Sequence, residues 1–127
     1  MNEYHVLLVD DEEELASTLV ERLGYRGFDA HYSTNGQDAL GKLREFTYDV
    51  LVVDLKLPGM SGEELIHTIR AAYPNLPIIM MTGHGASELE GGKKPSGVYD
   101  FLIKPINLSN LIAKMKEAIE VNELKQK

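Results

Sequence analysis

The chain has 127 residues, no cysteine and a net charge of −7, with 43% hydrophobic and 26% charged residues. That length fits one domain, 1–127, and the composition is that of a globular protein able to bury a core. Missing cysteine excludes disulfides and thiolate metal sites, the acidic charge disfavours nucleic acid, and no apolar run approaches the ~20 residues that span a bilayer. The start, Met1-Asn2-Glu3-Tyr4, lacks the basic and long apolar pattern of a signal peptide, so the cytoplasm is the expected location.

Short apolar runs alternate with amphipathic stretches. Val6 to Val9 reads as a buried strand. Leu15, Leu19 and Leu23 then recur at helical spacing, and Gly24 is the expected end of that helix. Phe28, Ala30 and Tyr32 alternate with polar residues, which suits a half-exposed strand at a sheet edge. Asn35-Gly36 opens a helix carrying Ala39, Leu40, Leu43 and Phe46. Val50 to Val53 is a second apolar strand, and Pro58-Gly59 punctuates the loop after it. Ser61, with Glu64 three residues on, is a capping box for a helix with Leu65, Ile66, Ile69 and Ala72 on one face. Leu76 to Met81, interrupted by Pro77, and Phe101 to Ile103 supply two more strands. Leu108, Leu111, Ile112, Met115 and Ile119 mark a C-terminal helix.

Strands apolar on both faces, alternating with helices, predict an α/β fold with a parallel sheet covered on both sides. Right-handed crossovers place every strand C-terminus at one edge, where such sheets bind ligands. One segment departs from the pattern. Between Thr82 and Asp100 the fold calls for a fourth helix, but Gly91, Gly92 and Pro95 stand there. Each glycine costs ~1 kcal/mol in a helix and an interior proline ~3 kcal/mol. A short or disordered fourth helix is expected.

The residues after the strands converge on that edge. Asp10-Asp11-Glu12 follows the first strand, Asp54 the third, Thr82 the fourth and Lys104-Pro105 the fifth. Taken singly, each has an ordinary structural role: the acids would suit a helix N-terminus, Thr82 a turn, Lys104 a solvated strand end and Phe101 the core. Together they form a chemical site. Two carboxylates ~4 Å apart repel by ~4 kcal/mol at an effective dielectric of 20. A hard divalent cation such as Mg²⁺ relieves that repulsion and lets a phosphoryl group approach. Asp54 can then act as nucleophile, as carboxylates do in aspartyl-phosphate chemistry, with Lys104 and Thr82 meeting the phosphoryl oxygens. The histidines His5, His31, His67 and His84 show no metal-ligand spacing.

Asp10-Asp11, the strand ending at Asp54, Pro58 to Gly62, Thr82-Gly83 and the run Asp100 to Pro105 resemble the receiver domains of bacterial two-component response regulators. The resemblance covers essentially the whole chain. It implies a flavodoxin-like, doubly wound five-stranded parallel sheet of order 2-1-3-4-5 with five helices. It further implies phosphorylation on Asp54, and Mg²⁺ held by Asp11 directly, Asp10 through water, Asp54, and the backbone carbonyl of Lys56. Thr82 and Phe101 correspond to the switch pair, Lys104 to the lysine that meets the phosphoryl group, and the Lys104-Pro105 bond is expected to be cis. The implied partners are a sensor histidine kinase or a histidine phosphotransfer protein, and a downstream effector or a covalent output domain that this chain does not contain. No nucleic acid or membrane partner is expected. Such a domain catalyses only its own phosphorylation and dephosphorylation. Three other readings share parts of the pattern: a haloacid-dehalogenase-like phosphatase, a flavodoxin-type cofactor binder, and a receiver-like interaction module that is never phosphorylated.

Overall fold

The computed structural model describes residues 3–83 and 97–126. Among them, strands β1 (His5–Val9), β2 (Asp29–Ser33), β3 (Val50–Asp54), β4 (Ile78–Thr82) and β5 (Asp100–Ile103) form one sheet. The helices are α1 (Glu13–Tyr25), α2 (Gly36–Glu45), α3 (Gly62–Ala72) and α4 (Leu108–Lys125). The strand order is β2-β1-β3-β4-β5, and every pairing is parallel. This is the flavodoxin-like order that the family resemblance implies. The stretch expected to hold a short fourth helix lies mostly outside the described residues, so the C-terminal helix carries the label α4.

Alternation of side chains along the central strands divides the core in two. Val6, Leu8, Val50, Val52, Ile79 and Met81 face α1 and α4, meeting Leu19, Leu23, Leu111 and Met115. Leu7, Val9, Leu51, Val53, Ile78 and Met80 face α2 and α3, meeting Ala39, Leu43, Leu65 and Ile69. Burial on both faces explains why β1, β3 and β4 read as unbroken apolar runs. Among the described residues β2 pairs with β1 alone, at the sheet edge; Ala30 and Tyr32 pack against the α1 side of the core, but Asp29 to Tyr32 are all partly buried rather than alternately buried and exposed.

Gly24 does not end α1; the helix continues to Tyr25. The turn is made by Gly27, whose φ of +89° is the left-handed conformation that glycine adopts without a Cβ clash. Gly27 N–H donates to the Gly24 carbonyl and Phe28 N–H to the Leu23 carbonyl, both at 3.1 Å. This is a Schellman closure, and Phe28 joins Leu23 in the core beneath it. The other caps follow the sequence. Asn35 Oδ1 accepts from Asp38 N–H at 2.8 Å, and Ser61 Oγ accepts from Glu64 N–H at 3.1 Å.

Gly62 fixes α3 against the end of β3. Its N–H donates to the Leu55 carbonyl at 2.9 Å. A Cβ built there would lie 2.4 Å from the Asp54 carbonyl oxygen and 2.8 Å from Leu55 Cα. Those neighbours are backbone and cannot rotate away. Gly62→Ala is therefore expected to lose about 2 kcal/mol in urea unfolding, in the range of other overpacking changes. Gly41→Ala is the matched control, because a Cβ at Gly41 meets nothing within 4 Å. It should gain roughly 0.5–1 kcal/mol from helix propensity. Equal effects from the two variants would refute the close-approach account.

Candidate functional site

The backbone ladder extends past the strand ends and holds the site residues in place. Asp10 N–H donates to the Ser33 carbonyl at 3.0 Å, Leu55 N–H to the Met81 carbonyl at 2.9 Å, and Lys104 N–H to the Thr82 carbonyl at 2.8 Å. Asp10, Asp54, Thr82 and Lys104 therefore meet at the C-terminal edge of the sheet.

Two aspartates are oriented in the same way. Asp10 Oδ1 accepts from Glu12 N–H at 3.0 Å, and Asp54 Oδ1 accepts from Lys56 N–H at 3.2 Å. In each case the side chain closes a turn on the backbone two residues ahead. The other oxygen of each is left pointing to one place. Lys104 Nζ lies there, 2.9 Å from Asp10 Oδ2 and 2.9 Å from Asp54 Oδ2. Glu12 Oε1 stands 3.3 Å from the same ammonium.

Asp10 is fully buried and Asp54 nearly so. Burial pushes the Asp10 carboxyl above the usual carboxylate range, against the opposing pull of Glu12 N–H and Lys104. Burial pulls the Lys104 ammonium down, but the close contacts and charges of Asp54 and Asp10 outweigh it and hold Lys104 above its usual range. The lysine is thus a fixed cation between two desolvated acids.

The geometry also fits a divalent cation. Ligand oxygens of Asp10, Glu12 and Asp54 lie within 4.8 Å of one another. Asp10 Oδ2, although close to Lys104, is buried and accepts no well-aligned hydrogen bond. A buried carboxylate oxygen with unused lone pairs, beside two more carboxylates, is what a hard oxygen-seeking ion requires.

Asp10, Asp54 and Lys104 come together. Thr82 is fully buried at the end of β4, in register with Ile103. Phe101 is half-buried on β5 beside the Leu7–Met80 side of the core. The Lys104-Pro105 bond is cis, as the resemblance implies. Lys56 lies in the loop after Asp54 and enters the site through its N–H. Asp11 is exposed and outside the carboxylate group. Glu12 stands there instead and is the residue the sequence reading did not single out. The run Asp10-Asp11-Glu12 contained it, but only the Asp10 turn shows which neighbour swings inward. His84, beside the switch threonine in sequence, lies outside the described residues.

Two clefts, of about 400 and 550 Å³, open among loops and helix ends around Pro74, Pro77 and Asn122. Neither lining includes Asp10, Asp54 or Lys104. The candidate site is the acidic edge.

A parallel sheet of this order, with paired carboxylates and a lysine at its C-terminal edge, defines a phosphoacceptor switch domain. The sequence model of the response regulator receiver domain matches residues 6–116, and the chain belongs to that family. It is 33% identical over 128 residues to a putative NtrX-like response regulator of Rickettsia felis, a match that covers 99% of this chain. The chain spans 26–27% of the length of such NtrX-like relatives. A CheY-like receiver domain protein from Methanospirillum hungatei superposes with a TM-score of 0.89 at 25% identity, covering 98% of this chain and 99% of that one. The response regulator TrrA from Thermotoga maritima, solved in complex with Mg²⁺ and BeF, gives 0.80 at 28% identity over 91% of this chain and 98% of that one. Membership in this family of signalling switches sets aside the phosphatase and flavodoxin readings. Among the described residues, no helix is long and apolar enough to cross a membrane.

Proposed function

We propose that residues 1–127 form a single receiver domain of a two-component system that takes a phosphoryl group on Asp54. The observation that carries this reading is the placement of Lys104 Nζ, 2.9 Å from both Asp54 Oδ2 and buried Asp10 Oδ2. The donor is a phosphohistidine on a sensor histidine kinase or a histidine phosphotransfer protein, and the reaction takes place in the cytoplasm. The output is a partner protein or a covalently attached domain.

Mg²⁺ is the proposed cofactor; when bound it neutralises charge on the phosphoryl oxygens. Asp10, Glu12 and Asp54 would hold it, with Asp11 and the Lys56 carbonyl completing the set by family resemblance. An Asp54 carboxylate oxygen attacks phosphorus in line. The new P–O bond forms as the P–N bond to the donor imidazole breaks, and the imidazole nitrogen keeps the electron pair. Lys104 follows the charge from the free carboxylate to the phosphoryl oxygens. Thr82 donates a hydrogen bond to one of those oxygens, and Phe101 turns inward with it, which biases the surface around β5 between two states. Dephosphorylation is the domain's own later step: water attacks phosphorus, the P–O bond to Asp54 breaks, and inorganic phosphate leaves with the Asp54 carboxylate restored.

The test is intact-protein mass after incubation with Mg²⁺ and acetyl phosphate. One added phosphoryl group is expected on the wild type, removable by hydroxylamine, and none on Asp54→Asn. An adduct that persists in the variant would overturn the assignment to Asp54. A wild type that forms no adduct and binds no beryllofluoride would leave the unphosphorylated interaction module as the correct reading.

A further inference from the structure

Glu12 is the N-cap residue of α1, yet its side chain makes no capping hydrogen bond. Serine, threonine, aspartate and asparagine are the residues favoured at that position. The Glu12 carboxylate reaches across the sheet edge instead, to 3.3 Å from Lys104 Nζ. It also supplies the third oxygen of the group formed with Asp10 and Asp54. Its placement is anchored, because Glu12 N–H donates to Asp10 Oδ1. The second oxygen of Asp10, buried and 2.9 Å from Lys104 Nζ but without a well-aligned hydrogen bond, points into the same space.

Charge then decides what Glu12 can do. Three carboxylates surround one ammonium, which leaves the site at a formal −2. A divalent cation offsets that excess. An incoming phosphoryl group, by contrast, meets one carboxylate more than Asp10 and Asp54 supply, and it needs the ammonium that Glu12 contacts.

We propose that Glu12 is a positioning residue that sets the balance between cation and phosphoryl group. It strengthens divalent-cation binding to the unphosphorylated domain and competes with phosphoryl oxygens for Lys104 Nζ. The inference rests on the phosphoacceptor reading above. Because the Glu12 side chain is 64% exposed, solvent and salt screen its effect, which is graded rather than absolute.

The experiment is calorimetric titration of wild type and Glu12→Gln, first with MgCl₂ and then with beryllofluoride at saturating Mg²⁺. Glutamine keeps the size and removes the charge. The Mg²⁺ Kd should weaken by about tenfold and the beryllofluoride Kd should tighten by about threefold, from one unit charge ~4 Å away in a largely aqueous setting. Both differences should shrink in high salt. Opposite signs are the diagnostic feature, since a loosened α1 would weaken both ligands. Unchanged constants, or both weakened, overturn the role of Glu12 alone. A wild type that takes Mg²⁺ but no beryllofluoride overturns the phosphoacceptor reading and this inference with it.

Discussion

Lys104→Met should lower stability by about 3 kcal/mol in Mg²⁺-free buffer, and added Mg²⁺ should restore much of the loss. The variant keeps the aliphatic stem and removes the only cation found among Asp10, Glu12 and Asp54 in the described residues. What remains is a fully buried aspartate 0% exposed beside a second nearly buried one. Breaking a buried pair from one side costs more than the pair contributes, because the surviving charge stays desolvated. Urea unfolding followed by far-ultraviolet circular dichroism measures this; the chain has no tryptophan to report instead. A loss below about 1 kcal/mol, the range of exposed pairs, would show that Lys104 is not the counter-ion described.

The same residues set the pH dependence. The folded Asp10 carboxyl is raised above its ordinary value of 3.8, so the folded chain holds that proton more tightly than the unfolded chain does. Between 3.8 and the raised folded value, the Asp10 contribution to stability therefore grows as pH falls. Lys104 acts at the other end. Its folded value is raised above 10.5, so its contribution is complete below 10.5 and is lost as pH rises through the folded value. Lys104→Met removes an influence that lowers Asp10, so its acid-side gain should exceed that of the wild type.

The parts of this molecule that were legible from sequence are those dictated by burial. β1, β3 and β4 are apolar on both faces because helices cover both sides of the sheet, and that pattern announces a parallel sheet directly. A parallel sheet brings its C-terminal ends together, so Asp10, Asp54, Thr82 and Lys104 could be placed at one edge before any distance was known. The features that were missed depend on single hydrogen bonds. Gly24 and Gly27 are equally plausible helix stops by composition; the Schellman bonds of Gly27 and Phe28 decide between them. The family resemblance points to Asp11 as a metal ligand and gives Glu12 no role, and it is the Asp10 turn that shows Glu12 facing Lys104, 92 residues away in sequence. Periodicity carries no information on either choice.

Mg²⁺ should stabilise the wild type by ~2.7 kcal/mol at a hundredfold excess over its dissociation constant, a rise in Tm of roughly 10 °C for a domain of this size. The reason is linkage: the folded chain gathers Asp10, Glu12 and Asp54 within 4.8 Å, and the unfolded chain does not. Two variants separate the contributions. Asp10→Asn removes a fully buried charge whose ionised form burial disfavours even beside Lys104, and leaves Lys104 paired with Asp54 and Glu12, so it should raise metal-free stability and reduce the Mg²⁺ response together. Asp11→Asn alters an exposed side chain outside the carboxylate group, so metal-free stability should hardly change. If Asp11 is nevertheless the direct ligand that family resemblance implies, its variant will lose the Mg²⁺ response alone. Thermal unfolding of the three proteins, with and without Mg²⁺, distinguishes these outcomes. A full Mg²⁺ response in Asp10→Asn would mean that the buried oxygen is not turned toward the ion, and the metal assignment would then rest on Asp11, Asp54 and Glu12.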